Sequence, residues 1–166
     1  MRNCDQLQSI ILSVTEAAMM EIVNTMLFID VSPSHALPKP AKVAYVQAPA
    51  EVSVIVGFSG GIDGGTRLAC STHIACVLAS ALAGEKYREL GEEAKDAFAE
   101  VGNMLAGGIQ TKLTSKMRLD EVHMSTPTIV SGSNYEIDYR GVIESVRHFF
   151  RLEYEPFYVD VYYDRN

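Results

Sequence analysis

Asp96, Glu100 and Asn103 are the residues whose types and spacing best suit chemistry. They stand as Asp-x-x-x-Glu-x-x-Asn within DAFAEVGNMLAGGIQTKL, residues 96–113. On a helix turning about 100° per residue, with Asp96 at zero, Glu100 falls near ~40° and Asn103 near ~340°. A carboxylate only accepts hydrogen bonds, whereas a carboxamide both donates and accepts without ionising. Stacked together, the two can pair with a cation and hold a water molecule. Gly107 returns to ~20° on the same line and removes side-chain bulk, so a partner surface can approach closely. By itself such a triad is most often only a solvated helix face.

The elements that must position these residues are legible in outline. Phe98, Val101, Leu105 and Ile109 cluster at ~140° to ~220°, opposite the polar line, which predicts an amphipathic helix. Residues Asp5–Phe28 read as a long helix, with Leu7, Ile10, Ile11, Val14 and Ala18 at helical spacing and Asp5 as its cap. SPSHALPKP, residues 32–40, carries three prolines and reads as a loop in which His35 is exposed. Ala41–Val46 is a candidate short strand. Val52, Val54, Val56 and Phe58 alternate as one side of a half-buried strand. SGGIDGG, residues 59–65, then turns into a strand at Thr66–Cys70. Glycines this dense invite a phosphate-loop reading, but no Lys-Ser/Thr pair follows and a strand comes next, so a hairpin turn is expected.

Ser71 or Thr72 is expected to cap a helix that stops at Gly84, followed by an exposed charged stretch, Glu85–Lys95. Past the motif helix, Arg118–Met124 and Thr128–Val130 read as extended, with Pro127 marking a bend or an edge. The sheet resumes at Gly141. Val142–Glu153 and Phe157–Tyr163 form the clearest hairpin, joined by Tyr154-Glu155-Pro156, with the proline-free last strand as a plausible sheet edge.

The order Asp96-x-x-x-Glu100-x-x-Asn103, followed by Met104-Leu105-Ala106-Gly107, by Leu119–Val122 and by Pro127-Thr128-Ile129-Val130-Ser131-Gly132, resembles the CheX phosphatases of bacterial chemotaxis, in the CheC/CheX/FliY group. The resemblance covers most of the chain from Glu51 onward and, more loosely, the N-terminal helix. Two positions depart: Pro127 falls one residue late, and Gly108 stands where the family often has Asn. The resemblance implies an α+β, CheC-like two-layer fold, with long helices packed on a mainly antiparallel β-sheet. It also implies a phosphatase acting on the aspartyl phosphate of a response-regulator receiver domain of the CheY kind. Glu100 and Asn103 would be the catalytic pair, with Asp96 and Gly107 as partner-binding or motif-supporting residues. Mg²⁺ would belong to the receiver, and this chain would need no cofactor of its own. A dimeric habit is implied too, which the expected C-terminal edge strand supports.

Composition agrees with these expectations. The chain has 166 residues, is 48% apolar and carries a net charge of −7, which suits one domain spanning 1–166 and offers no basic footprint for nucleic acid or anionic membrane. Its apolar runs read as too interrupted to span a bilayer. Three cysteines in no disulfide pattern, with no signal sequence at the start, predict a cytoplasmic protein. Cys70, His73 and Cys76 have the residue types of metal ligands but no fourth partner nearby, so buried thiols are expected and no metal site. Glu21-Ile-Val-Asn24 repeats the Glu-x-x-Asn spacing. It is expected to be inactive, because Ala17 stands in the leading acid's place and Met26-Leu27-Phe28 replaces the small, glycine-containing continuation. Two other readings stay open: a receiver- or motor-component-binding module without hydrolysis, and an unrelated α/β protein in which the motif is chance.

Overall fold

The computed structural model describes residues 2–34, 50–132, 135 and 143–164, with side chains from residue 5 onward. The candidate strand 41–46, His35 and Gly141 lie outside the described residues.

Helix α1 (Arg2–Ile22) continues as a π-helical turn, Val23–Leu27, and stops at Phe28, whose φ of 52° is left-handed. Asp5 lies within the first turn and does not precede the helix, so the expected cap position is corrected. Ile11, Val14, Ala18 and Met19 are buried, as their spacing requires. Asp5–Leu27 is long and apolar enough to cross a bilayer by length and composition, which corrects the reading that no run is. In this fold the buried stripe packs against the other helices and the sheet.

Among the described residues, seven strands make one antiparallel sheet in the order β1 (Val31–Pro33), β6 (Ile143–Leu152), β7 (Glu155–Asp164), β3 (Gly64–Cys70), β2 (Val52–Gly60), β4 (Val122–Met124), with β5 (Thr128–Ser131) also paired to β2. The central hairpin is β2 (Val52–Gly60) with β3 (Gly64–Cys70), in the register Val56↔Thr66. Val52, Val54, Val56 and Phe58 are all buried, as their alternation predicts. The turn is held by Asp63, whose carboxylate accepts from Gly60 N–H at 3.3 Å. Beyond β2 lie β4 (Val122–Met124) and β5 (Thr128–Ser131), which follow one another along it, β4 on Phe58–Gly60 and β5 on Val52–Ile55. The strand expected from Arg118 is shorter, because Arg118 has φ 52° and ends the preceding helix.

On the other flank, β6 (Ile143–Leu152) and β7 (Glu155–Asp164) form the C-terminal hairpin. Its turn is tighter than the sequence suggests, since Glu155 and Pro156 already pair with Leu152 and Arg151. β7 lies between β6 and β3, so the expected edge strand is interior. That edge is taken by β1 (Val31–Pro33), drawn from the stretch expected to be loop. Proline fits there because an edge strand leaves one N–H row unpaired.

The two faces of the sheet differ. Helices cover Leu68, Phe157, Val159, Val161 and Tyr163. The opposite face carries Arg147, which donates two hydrogen bonds to Asp160 at 2.6 and 2.8 Å and lies 3.8 Å from the Tyr158 ring centre. Helix α2 (Thr72–Ala83) begins where expected: Ser71 Oγ accepts from Ile74 N–H, and Gly84 closes it at φ 70°.

Candidate functional site

Helix α3 (Glu92–Met117) carries the motif and is longer at both ends than the sequence pattern. Glu92 and Glu93 occupy its first turn, where acids oppose the positive end of the helix dipole. Asp96 lies beyond that turn, so the two glutamates and not Asp96 take that role. Phe98, Val101, Leu105, Ile109 and Leu113 are buried, and they fix the rotation of the helix on the sheet.

Three glycines then set how closely neighbours approach α3. A Cβ on Gly102 would fall 2.3 Å from Val54 Cγ1, so this glycine seats the helix directly on β2. On Gly108 it would come within 3.2 Å of Ala18 Cβ. Contact with α1 therefore accounts for a small residue there in place of the family's Asn. A Cβ on Gly107 would meet only Met124 Cε, at 3.7 Å, which is ordinary contact. Packing requires Gly102 to be small, leaves little room at Gly108 and places no such demand on Gly107.

The structure brings the expected residues onto one open line. Asp96 and Glu100 are exposed, while Asn103 and Gly107 are half-buried. Among the described residues, no hydrogen bond or ion pair engages the Glu100 carboxylate or the Asn103 carboxamide. Asn103 thus keeps both its donor and its acceptor for a visiting molecule.

Strand β4 flanks the line, a neighbour that the sequence pattern did not reveal. Gln110 Nε2 donates to Val122 O at 3.2 Å, tying α3 to β4. Gly57 and Ser125 exchange two hydrogen bonds: Ser125 N–H to Gly57 O at 2.9 Å, and Gly57 N–H to Ser125 Oγ at 2.8 Å. Gly57, interrupting the run of apolar residues between Val56 and Phe58, was the available signal, since a glycine inside a strand marks a close approach.

The other candidates are elsewhere or already engaged. Glu21 is exposed but forms an ion pair with Lys112 of α3. Asn24 lies in the π-helical turn, where a wider winding replaces α-helical spacing. Cys70 ends β3 and is buried, and that burial pushes its thiol well above the ordinary range. Cys76 is buried in α2, whereas His73 points outward, 3.8 Å from Glu153. Among the described residues, no cluster of His, Cys, Asp and Glu is arranged to hold a metal ion.

Fold and site together define a two-layer α+β domain that presents, from α3, a Glu/Asn pair unengaged among the described residues. The family model described as chemotaxis phosphatase CheX matches residues 52–151, which include α3. The CheY-P phosphatase CheX of Thermotoga maritima is 35% identical over 106 residues, covering 63% of this chain and 67% of that protein. The crystal structure of the chemotaxis protein CheX from Vibrio vulnificus superimposes with a TM-score of 0.77 at 21% identity, covering 93% of this chain and 99% of that one. A complex of CheX with CheY, BeF3 and Mg²⁺ from Borrelia burgdorferi gives 0.73 at 24% identity, covering 92% and 97%. The chain belongs to the CheX family of chemotaxis phosphatases.

Proposed function

We propose that this protein hydrolyses the aspartyl phosphate of a CheY-type receiver domain, with Asn103 and Glu100 inserted into the receiver's active site. The observation that carries the reading is the unengaged Glu100/Asn103 line on α3, lying inside the stretch that matches the family. Membership in a family whose relative is a CheY-P phosphatase supports the activity and the partner. The complex of a similar chain with CheY, BeF3 and Mg²⁺ supports a receiver that brings its own Mg²⁺.

The reaction places few demands on this chain. Water attacks phosphorus, the new P–O bond forms as the bond to the receiver's aspartate breaks, and inorganic phosphate and a free carboxylate result. Such transfers depend on positioning and charge stabilisation. Asn103 holds the water in line by accepting from it, while its N–H donates toward the phosphoryl oxygens. Glu100 pairs with a lysine of the receiver's active site and orients the insertion. Asp96 and Gly107 support docking. The whole chain acts as one domain in the cytoplasm. A homodimer rests on the family resemblance alone, since the expected edge strand is interior, and sedimentation at micromolar concentration tests it.

The test of function is to mix the purified protein with a phosphorylated receiver and follow phosphate release. Accelerated release is expected. Binding without acceleration would favour the other reading, a receiver-binding module of the same fold.

A further inference from the structure

Met124 is one of four large hydrophobic side chains left exposed among the described residues, with Met26, Phe28 and Tyr154. It is the one set against the catalytic line: its Cε lies 3.7 Å from where a Gly107 Cβ would stand, and Gly107 follows Asn103 by one helical turn. Its backbone is fixed from two sides. Met124 pairs with Phe58, the following residue is bonded to Gly57, and Gln110 ties Val122 to α3. Such a strand needs little further ordering when a partner arrives, which favours binding.

We infer that Met124 is the apolar docking contact of the phosphatase, receiving an apolar side chain of the receiver beside its phosphorylated aspartate. This rests on the proposed function, because the occupant follows from position: a receiver that brings its phosphoryl group to Asn103 lies over Gly107 and meets the Met124 side chain. Methionine suits this place, since its thioether adapts to irregular surfaces and gains from losing its 38% exposure. An apolar contact at the centre of an interface, next to charged contacts such as Glu100, is where binding energy concentrates. Gly107 serves the same contact, because a side chain there would fill the space beneath the methyl group.

Met124→Gln keeps the length of the side chain and removes its apolar end, whereas Met124→Leu keeps the apolar character. Tyr154→Ser, at the far β6–β7 turn, serves as the control. Each variant is titrated with a Mg²⁺- and beryllofluoride-loaded receiver that the wild-type protein dephosphorylates, and assayed for turnover at low and saturating phosphorylated receiver. Met124→Gln should weaken binding about tenfold and raise KM in step, with kcat within about twofold of wild type. Met124→Leu and Tyr154→Ser should bind like wild type. Binding by Met124→Gln within about twofold of wild type, or a fall in kcat with KM unchanged, overturns the inference. It fails separately from the proposed function: Asn103→Ala at full turnover beside a weakened Met124→Gln would remove the catalytic assignment and leave the docking contact standing.

Discussion

Glu-x-x-Asn occurs twice in this molecule, on α3 at Glu100/Asn103 and on α1 at Glu21/Asn24, and the fold treats the two differently. On α3 both side chains are unengaged among the described residues, the helix winding is regular, and a glycine one turn on leaves the line open. On α1 the glutamate is paired with Lys112, and the asparagine sits in a π-helical turn that includes Met26 and Leu27 and stops at Phe28. An acid meant to greet a partner's lysine is of little use when a lysine of its own chain already occupies it. The Glu-x-x-Asn spacing therefore does not by itself make an open line, and what separates the two copies is their surroundings.

The largest expected effect is at the copy proposed to be catalytic. Asn103→Ala should cut hydrolysis by roughly two or more powers of ten while receiver binding holds, the scale of losing a pre-positioned catalytic interaction. Glu100→Ala should act mainly on docking, weakening receiver affinity by about 2 kcal/mol or more in a binding titration, because a charge-assisted contact is lost.

The glycines sharpen the comparison by separating packing from approach. Gly102→Ala should destabilise the protein by ~1–3 kcal/mol in chemical denaturation, since its Cβ collides with Val54. Gly107→Ala should instead stabilise it by up to ~1 kcal/mol, as Ala replaces Gly in a helix interior, while turnover at low receiver concentration falls. Loss of stability in that variant would mean that Gly107 serves the fold. The smallest expected effect is at the second copy: Asn24→Ala should leave phosphatase activity within about twofold of wild type, an effect too small for a catalytic group. A large loss there, with folding intact, would make the two copies equivalent.

Features written in local patterns were legible beforehand. Ser71 and Gly84 bound α2 because capping is decided by a few adjacent residues, and the alternation of Val52 to Phe58 shows which side of β2 is buried. The exposed line of α3 follows from the same helical period that buries Phe98 and Leu105. What was not legible depends on pairing between distant segments. Residues 157–163 carry no mark that distinguishes an edge from an interior strand, and only the partners β3 and β6 decide it. Val31–Pro33 becomes a strand because β6 offers an edge, against the local signal of its proline. The shelf beside Asn103 belongs to the same class. Met124 and Ser125 reach the site through pairing with β2, more than sixty residues earlier in the chain.

The central claim is that one copy of the motif performs the chemistry, and single-turnover dephosphorylation of a receiver by wild type, Asn103→Ala and Asn24→Ala tests it most directly when run beside a binding titration. The account predicts that Asn103→Ala binds the receiver but releases phosphate at least ~100-fold more slowly, with Asn24→Ala indistinguishable from wild type. Near-wild-type turnover by a folded Asn103→Ala protein would contradict it and leave the chemistry to the receiver itself.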